Sequence, residues 1–188
     1  MQKKLLILLA IIVCTGAIVW FLGFFPVARV NDEFLWYRAY NERADALLLF
    51  DSKSRAAAKN TAPSETDESE IRRIILQNLI TEEIFKQYIE EHTALSGLRE
   101  ATHAVVESTL KEANPDVLPR ATEELYGWSV EEFKKNVLYP QALQNELQKA
   151  IEADGASFDE FAKTQLQNAE VKLYLVPWKW EKGGLVSK

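Results

Sequence analysis

The sequence predicts a mainly α fold: a helical domain closed by a small two-strand pairing of its own ends and preceded by one transmembrane helix. Three observations carry this. An uncharged apolar run of 21 residues, Leu5 to Phe25, comes after Lys3 and Lys4 near the start of the chain. Over most of the chain beyond that run, apolar residues recur at three- and four-residue steps, which stacks them on one face of a helix. Only near the ends, at Val27–Val30 (VARV) and Ala169–Trp180 (AEVKLYLVPWKW), does the pattern become β-prone or alternating. The expected organisation is a membrane anchor or signal segment at 1–26, a helical domain at 27–180 and a tail at 181–188.

A helix of 21 residues is about 31 Å long, enough to cross a bilayer core. A secretory signal has a shorter apolar region and a small-x-small cleavage site, whereas this run continues through Trp20, Phe21, Phe24 and Phe25 to Pro26. An uncleaved anchor is therefore the reading, with cleavage the alternative. Lys3 and Lys4 place the amino terminus on the cytoplasmic side and the domain outside the cytoplasm, in the periplasm or at the cell surface. Cys14, the single cysteine, lies inside the run without a small residue before it, so it reads as a membrane-embedded thiol rather than a lipid-attachment site.

The chain has 188 residues, 47% hydrophobic and 27% charged, which excludes a disordered tail, a collagen-like repeat and a disulfide scaffold. Beyond the first 25 residues there are 20 basic and 28 acidic residues, a net charge of −8. Such a surface repels nucleic acid, and no Lys/Arg cluster offsets it.

In order along the chain, Asn31 or Asp32 is expected to cap a helix running from Glu33 to Phe50, whose aromatic and aliphatic residues cover most of its circumference. Lys59–Ser69 is polar, contains Pro63 and reads as a linker or exposed loop, with Asp67 and Glu70 spaced as a capping box. Glu68–His92 is the clearest helix, and a weaker one runs from about Ser96 to Ala113. Asp116–Tyr126 is a short helix with Pro119 in its first turn and Gly127 at its end. Ser129 and Glu132 form a capping box ahead of a helix reaching about Ala153, which Pro140 is expected to bend or split. Asp154-Gly155 ends it, and Ser157 with Glu160 opens a last helix through about Gln167. The alternation from Ala169 to Trp180 is a strand. A lone strand leaves backbone groups unpaired, so it is expected to pair with VARV and bring the two ends together.

This order of parts resembles the amino-terminal chaperone domain of the SurA/PrsA/PpiD-type extracytoplasmic folding factors. The resemblance rests on VARVND after the export segment, the long helix IRRIILQNLITEEIFKQYIEEH, the YGWSVEEFKKNVLYPQALQNELQKAI stretch and SFDEFAK, together covering about Val27 to Lys163. Asp32 stands where the family usually has glycine. SFDEFAK and EKGGL (Glu181–Leu185) are similar to two pieces of the parvulin isomerase domain that commonly comes next in that family, but its histidines and its cysteine or aspartate are not there. The carboxy-terminal helix and strand are read as closing the chaperone-type domain, without an isomerase.

The residues themselves offer little catalytic chemistry. His92 and His103 fall on different helices and lack metal-ligand spacing, so no metal site and no cofactor are expected. No cysteine lies outside the apolar run, no glycine-rich phosphate loop is present, and pairs such as Glu82-Glu83 and Glu131-Glu132 read as solvated helix faces. The expected function is that of a non-catalytic, membrane-tethered, extracytoplasmic chaperone-like protein, binding unfolded or nascent exported polypeptides without ATP. Its binding site is expected to be an apolar groove with a negative rim between the Glu68–His92 and Ser129–Ala153 helices. Candidate groove residues are Trp36, Tyr37, Tyr40, Tyr88, Tyr126, Trp128 and Tyr139. A structural subunit docking one membrane-proximal partner is the alternative, and a second copy of the chain is a further candidate partner.

Overall fold

A computed structural model describes residues 23, 25–58 and 68–188. The chain enters the fold through β1 (Pro26–Val30), turns at Asn31-Asp32, and returns as β2 (Glu33–Trp36). The helix expected from Glu33 therefore starts four residues later, and neither Asn31 nor Asp32 caps it. Asn31 instead takes the left-handed conformation (φ 51°), which asparagine tolerates better than most residues and a two-residue hairpin loop exploits. The left-handed residue is thus Asn31, and Asp32 does not take a positive φ that would call for glycine.

The expected pairing of the chain ends is present. β3 (Val171–Leu173) lies antiparallel to β1, Ala28 opposite Leu173 and Val30 opposite Val171, giving the strand order β2-β1-β3. Asn31 locks this arrangement: its N–H donates to the Glu170 carbonyl (2.7 Å), its Oδ1 accepts the Glu170 N–H (3.0 Å), and its Nδ2 donates to Gln87 Oε1 (2.6 Å). Gln87 in turn donates to the Val30 carbonyl at 3.2 Å.

The single strand expected over Ala169–Trp180 is broken. Leu175 adopts φ 54° and turns the chain, and β4 (Trp178–Glu181) pairs with β5 (Gly184–Ser187). Lys182 and Gly183, at φ 52° and 84°, make the two-residue turn whose paired positive φ values match the twist of a hairpin. Residues 181–188 are thus no tail: Leu185 is buried, and its N–H donates to Gln77 Oε1 at 2.9 Å.

Seven α-helices are described: α1 (Tyr37–Ala57), α2 (Glu68–Glu91), α3 (Leu98–Glu112), α4 (Leu118–Tyr126), α5 (Val130–Phe133), α6 (Tyr139–Ala153) and α7 (Phe158–Asn168). The Ser129 capping box is reciprocal, Ser129 Oγ accepting the Glu132 N–H (3.2 Å) and Glu132 Oε2 accepting the Ser129 N–H (2.8 Å). Pro140 does not split the path. α5 and α6 are joined by a π turn, Lys134–Leu138, in which the Tyr139 N–H reaches back five residues to the Lys134 carbonyl. The wider turn accommodates the proline, which has no N–H to offer its own preceding turn.

Val27, Ala28 and Val30 are fully buried, so β1 is covered on both faces. Around it pack Leu76, Ile80 and Ile84 of α2, Leu147 and Ile151 of α6, Phe158 of α7, and Trp178 and Leu185 of the second hairpin. Each large side chain among them contributes roughly 1.5–3 kcal/mol through burial. The expected span at 5–25 lies outside the described residues except for Gly23 and Phe25, as do Asp67 and linker residues 59–67. Among the described residues no helix is long and apolar enough to cross a membrane.

Replacing Asn31 tests the lock. Asn31→Ala is expected to destabilise the fold by about 2 kcal/mol, losing side-chain hydrogen bonds and the tolerated left-handed residue, and Asn31→Gly by about half as much, since glycine keeps the φ value. Urea unfolding followed by tryptophan fluorescence measures both; equal losses would show that the backbone conformation contributes nothing.

Candidate functional site

A trough opens between α2 and the α5–α6 path, with α1 as its floor. It has two chambers. The larger, about 350 Å³, lies between Ile75 and Asn78 of α2 and Val137 and Gln141 opposite, and Tyr126 and Trp128 close its end. The smaller, about 240 Å³, is bounded by Leu35, Leu79, Phe85, Tyr139 and Leu143. Arg43, Glu82, Pro140 and Gln144 border both chambers.

Helical spacing explains the α2 wall. Ile75, Asn78 and Glu82 recur at three and four residues and share one face, while the fully buried Leu76 and Ile80 point into the core. The opposite wall depends on the π turn, which contributes Asn136 and Val137. From α1, Arg43 and Leu47, four residues apart, reach the floor.

An aromatic stack closes the larger chamber. Phe50 of α1 stacks on Tyr126 (centroids 5.0 Å, planes 8° apart), and Trp128 lies on the other side of Tyr126 at 5.7 Å and 12°. Gly127, at φ 69°, permits the turn that lays Trp128 back along the stack, and the Trp128 N–H returns to the Thr122 carbonyl at 3.3 Å. Burial pushes the Tyr126 phenol upward from its ordinary pKa.

A charged tie separates the chambers. Arg43 Nη1 donates to both Glu82 oxygens (2.7 and 2.6 Å), and Arg43 Nε donates to Asn136 Oδ1 (3.3 Å). One side chain thereby joins α1, α2 and the π turn. The two charged groups are 15% and 31% exposed. Burial raises the Glu82 pKa above the ordinary carboxylate range, with Arg43 opposing the shift. Glu82 is therefore no solvated face residue, in contrast to the reading of the Glu82-Glu83 pair. The rim is mixed in sign rather than negative, because Glu83 pairs with Lys86 (3.2 Å) and Lys135 lies on the opposite wall.

Of the aromatic residues expected in the groove, Tyr126, Trp128 and Tyr139 border the trough. Tyr40 is a core residue, only 3% exposed, and its phenol pKa is raised by burial against the opposing Arg72. Tyr37 stacks on Phe25 (4.6 Å) beside a separate cleft that contains Arg72 and Trp178. Tyr88 stacks on His92 (3.9 Å) and meets Phe161 edge-on, at the seam of α2 and α7. Trp36 is exposed on β2, outside both chambers. The seven residues thus occupy several environments, because apolar spacing marks the inward face of a helix without showing whether a partner fills the space there.

The sequence pattern did not single out Arg43, Asn136 or Pro140 as site residues. The available signal was an arginine one turn before Leu47 on an otherwise enclosed helix. Among the described residues, no group of three or more His, Cys, Asp or Glu side chains is placed to hold a metal ion. No family model, curated protein or solved structure matches the chain.

Arg43→Met leaves Glu82 without its countercharge and is expected to cost about 1–3 kcal/mol, between the values for exposed and fully buried pairs. Because the folded pKa of Glu82 is raised, its contribution favours the fold in acid and is lost as pH rises through that pKa. The Arg43→Met deficit is therefore larger at pH 7 than at pH 5, and Glu82→Gln in the same chain recovers part of it. Denaturant midpoints at the two pH values measure this; a pH-independent deficit contradicts the assignment.

Proposed function

We propose that this chain is a membrane-tethered, extracytoplasmic chaperone-like protein of the SurA type, which holds unfolded segments of exported polypeptides in the α2–α6 trough. It acts without ATP, and it is a non-catalytic relative of the peptidyl-prolyl isomerases. The observation that carries this reading is the trough itself: apolar walls, an aromatic stack at one end, and an opening along its length rather than a closed pocket. Ile75, Val137 and Pro140 offer greasy contact that discriminates weakly between side chains. The amides of Asn78, Gln141 and Gln144 supply both donors and acceptors, which suits the N–H and C=O groups of an extended chain whatever its sequence. The resemblance of the VARVND start, the long α2 and the capped YGWSVEEF segment to SurA-type domains supports the same reading, and Lys3 and Lys4 ahead of the apolar run support the extracytoplasmic side.

Gln141 is exposed on the trough wall, so Gln141→Trp fills the larger chamber without disturbing the core. The full chain in lipid nanodiscs is expected to slow aggregation of a denatured model substrate at near-stoichiometric ratios. Gln141→Trp is expected to lose several-fold of that effect, while Lys149→Trp, also exposed on α6, keeps it. Light scattering follows the aggregation. Equal protection by all three chains, or by none, overturns the trough as the site, and crosslinking in membranes to one stoichiometric partner favours the assembly role instead.

A further inference from the structure

The trough leaves a second apolar surface unexplained. Trp36 and Phe34, side by side on one face of β2, are 48% and 45% exposed, with ring centroids 6.1 Å apart. Leu175 is 67% exposed, the largest value for a bulky apolar residue among the described residues. It also holds φ 54°, a conformation that leucine adopts at a cost of order 1 kcal/mol or more. The fold thus strains its backbone at a position where the side chain packs little of the core.

Backbone register brings these residues to one place. Trp36 is the partner of Pro26 across the β1–β2 ladder. On the other side of β1, the Tyr174 N–H donates to the Val27 carbonyl (2.9 Å), which sets Leu175 beside the Pro26 end of the strand. Trp36 and Leu175 therefore flank the residue at which the 21-residue apolar run gives way to the domain. No linker separates the two. The Phe25 carbonyl accepts the Tyr37 N–H (2.9 Å) and the Gly23 carbonyl accepts the Arg38 N–H (3.3 Å), so the last residues of the run already serve orphan donors of α1. Close fit enforces this: a Cβ on Gly23 would lie 3.3 Å from both N and Cβ of Arg38.

We infer that Trp36 and Leu175 form a collar that lies in the headgroup layer of the bilayer, with Phe34 farther from the membrane behind Trp36, seating the domain directly on the membrane. The inference rests on the tether in the function proposed above. Neighbouring strands are about 4.8 Å apart, and the headgroup layer is about 5–8 Å deep on each side of the hydrocarbon core. Residues one strand to either side of Pro26 therefore share its depth. Tryptophan favours this layer, where its ring is apolar and its N–H stays hydrated. The acidic hairpin turn fits the same orientation: Asp32 and Glu33 lie at the far end of β1, about 13 Å from Pro26. The charged groups at the near end are paired or bonded: Arg38 with Glu42 (2.7 Å), Arg72 with Glu68 (2.8 Å) in the cleft beside Leu175, and Lys188 Nζ to the Val176 carbonyl (2.7 Å).

The test uses the full chain in vesicles of phosphatidylethanolamine and phosphatidylglycerol. In a Cys14→Ser background, Trp36→Cys, Leu175→Cys and Arg120→Cys each carry one environment-sensitive fluorophore. Arg120 is the control, on α4, which packs beside Phe50, about 20 Å along α1 from Tyr37. A label on Cys14 of the unsubstituted chain reports the tether. Bromine-labelled lipid is expected to quench the probes at 36 and 175 several-fold more than the probe at 120, which aqueous iodide quenches instead. Iodide quenching at 36 and 175 equal to that at 120 overturns the collar, and lipid quenching at Cys14 of the unsubstituted chain in the same vesicles shows that the tether stands without it. Protection of 36 and 175 from both quenchers also overturns it, in favour of a second copy or another protein on this face. Lipid quenching at 36 and 175 without quenching at Cys14 upholds the collar and removes the spanning tether.

Discussion

The structure depends on one short strand. β1 is the only strand among the described residues paired on both sides, and Val27, Ala28 and Val30 are inaccessible to solvent. One edge of it holds β2 and, through the Phe25 and Gly23 carbonyls, the start of α1; the other holds β3 from the far end of the sequence. Around its faces lie α2, α6, α7 and the second hairpin. Withdrawing β1 would leave two strands without partners and open the main core, and unpaired buried backbone groups are expensive. The sequence distance it closes is long, since Asn31 and Glu170 are 139 residues apart. Such non-local closure is a contact that folding reaches slowly, after the local helices have formed.

Much of this was legible in the sequence. The helices announced themselves through three- and four-residue spacing and through end signals such as Ser129-Glu132, Gly127 and Ser157-Glu160, all of which act within one or two turns. Pairing of the ends came from counting unpaired strands. The failures share a cause. Glu33–Trp36 reads as the first turn of a helix because each of its residues tolerates one, and only the ladder to β1 makes it a strand. Gly184–Ser187 is too short and too near the terminus to show alternation, yet Leu185 completes the core. The π turn depends on how Pro140 is accommodated by the preceding carbonyls, a matter of three-dimensional fit. Local chemistry was readable; partner-dependent conformation was not.

The same distinction governs the site. Leu76 and Ile75 are neighbours of equal hydrophobicity on α2, yet one is fully buried and the other borders an opening. The apolar pattern marks both as inward-facing, and what distinguishes them is what stands opposite each. Opposite Leu76 is packed protein; opposite Ile75 is the space between α2 and the π turn. Tyr40 and Tyr126 differ in the same way, one sealed in the core and the other closing the end of the trough.

That space persists because its crossing is polar. An aliphatic residue at position 43 would gain most by drawing α2 and the π turn together over it, burying surface at about 25 cal/mol per Å². An arginine gains instead by holding two carboxylate oxygens and one amide at hydrogen-bond distance, and those distances prescribe a separation. The charge also resists collapse, since sealing Arg43 and Glu82 fully from water would cost several kcal/mol per ion. The tie therefore contributes little net stability while setting the width of the trough, and Pro140 beside it offers no N–H with which a neighbouring segment could close the gap. An open apolar channel with a polar strut across its middle is the arrangement that the proposed holding of another chain would require.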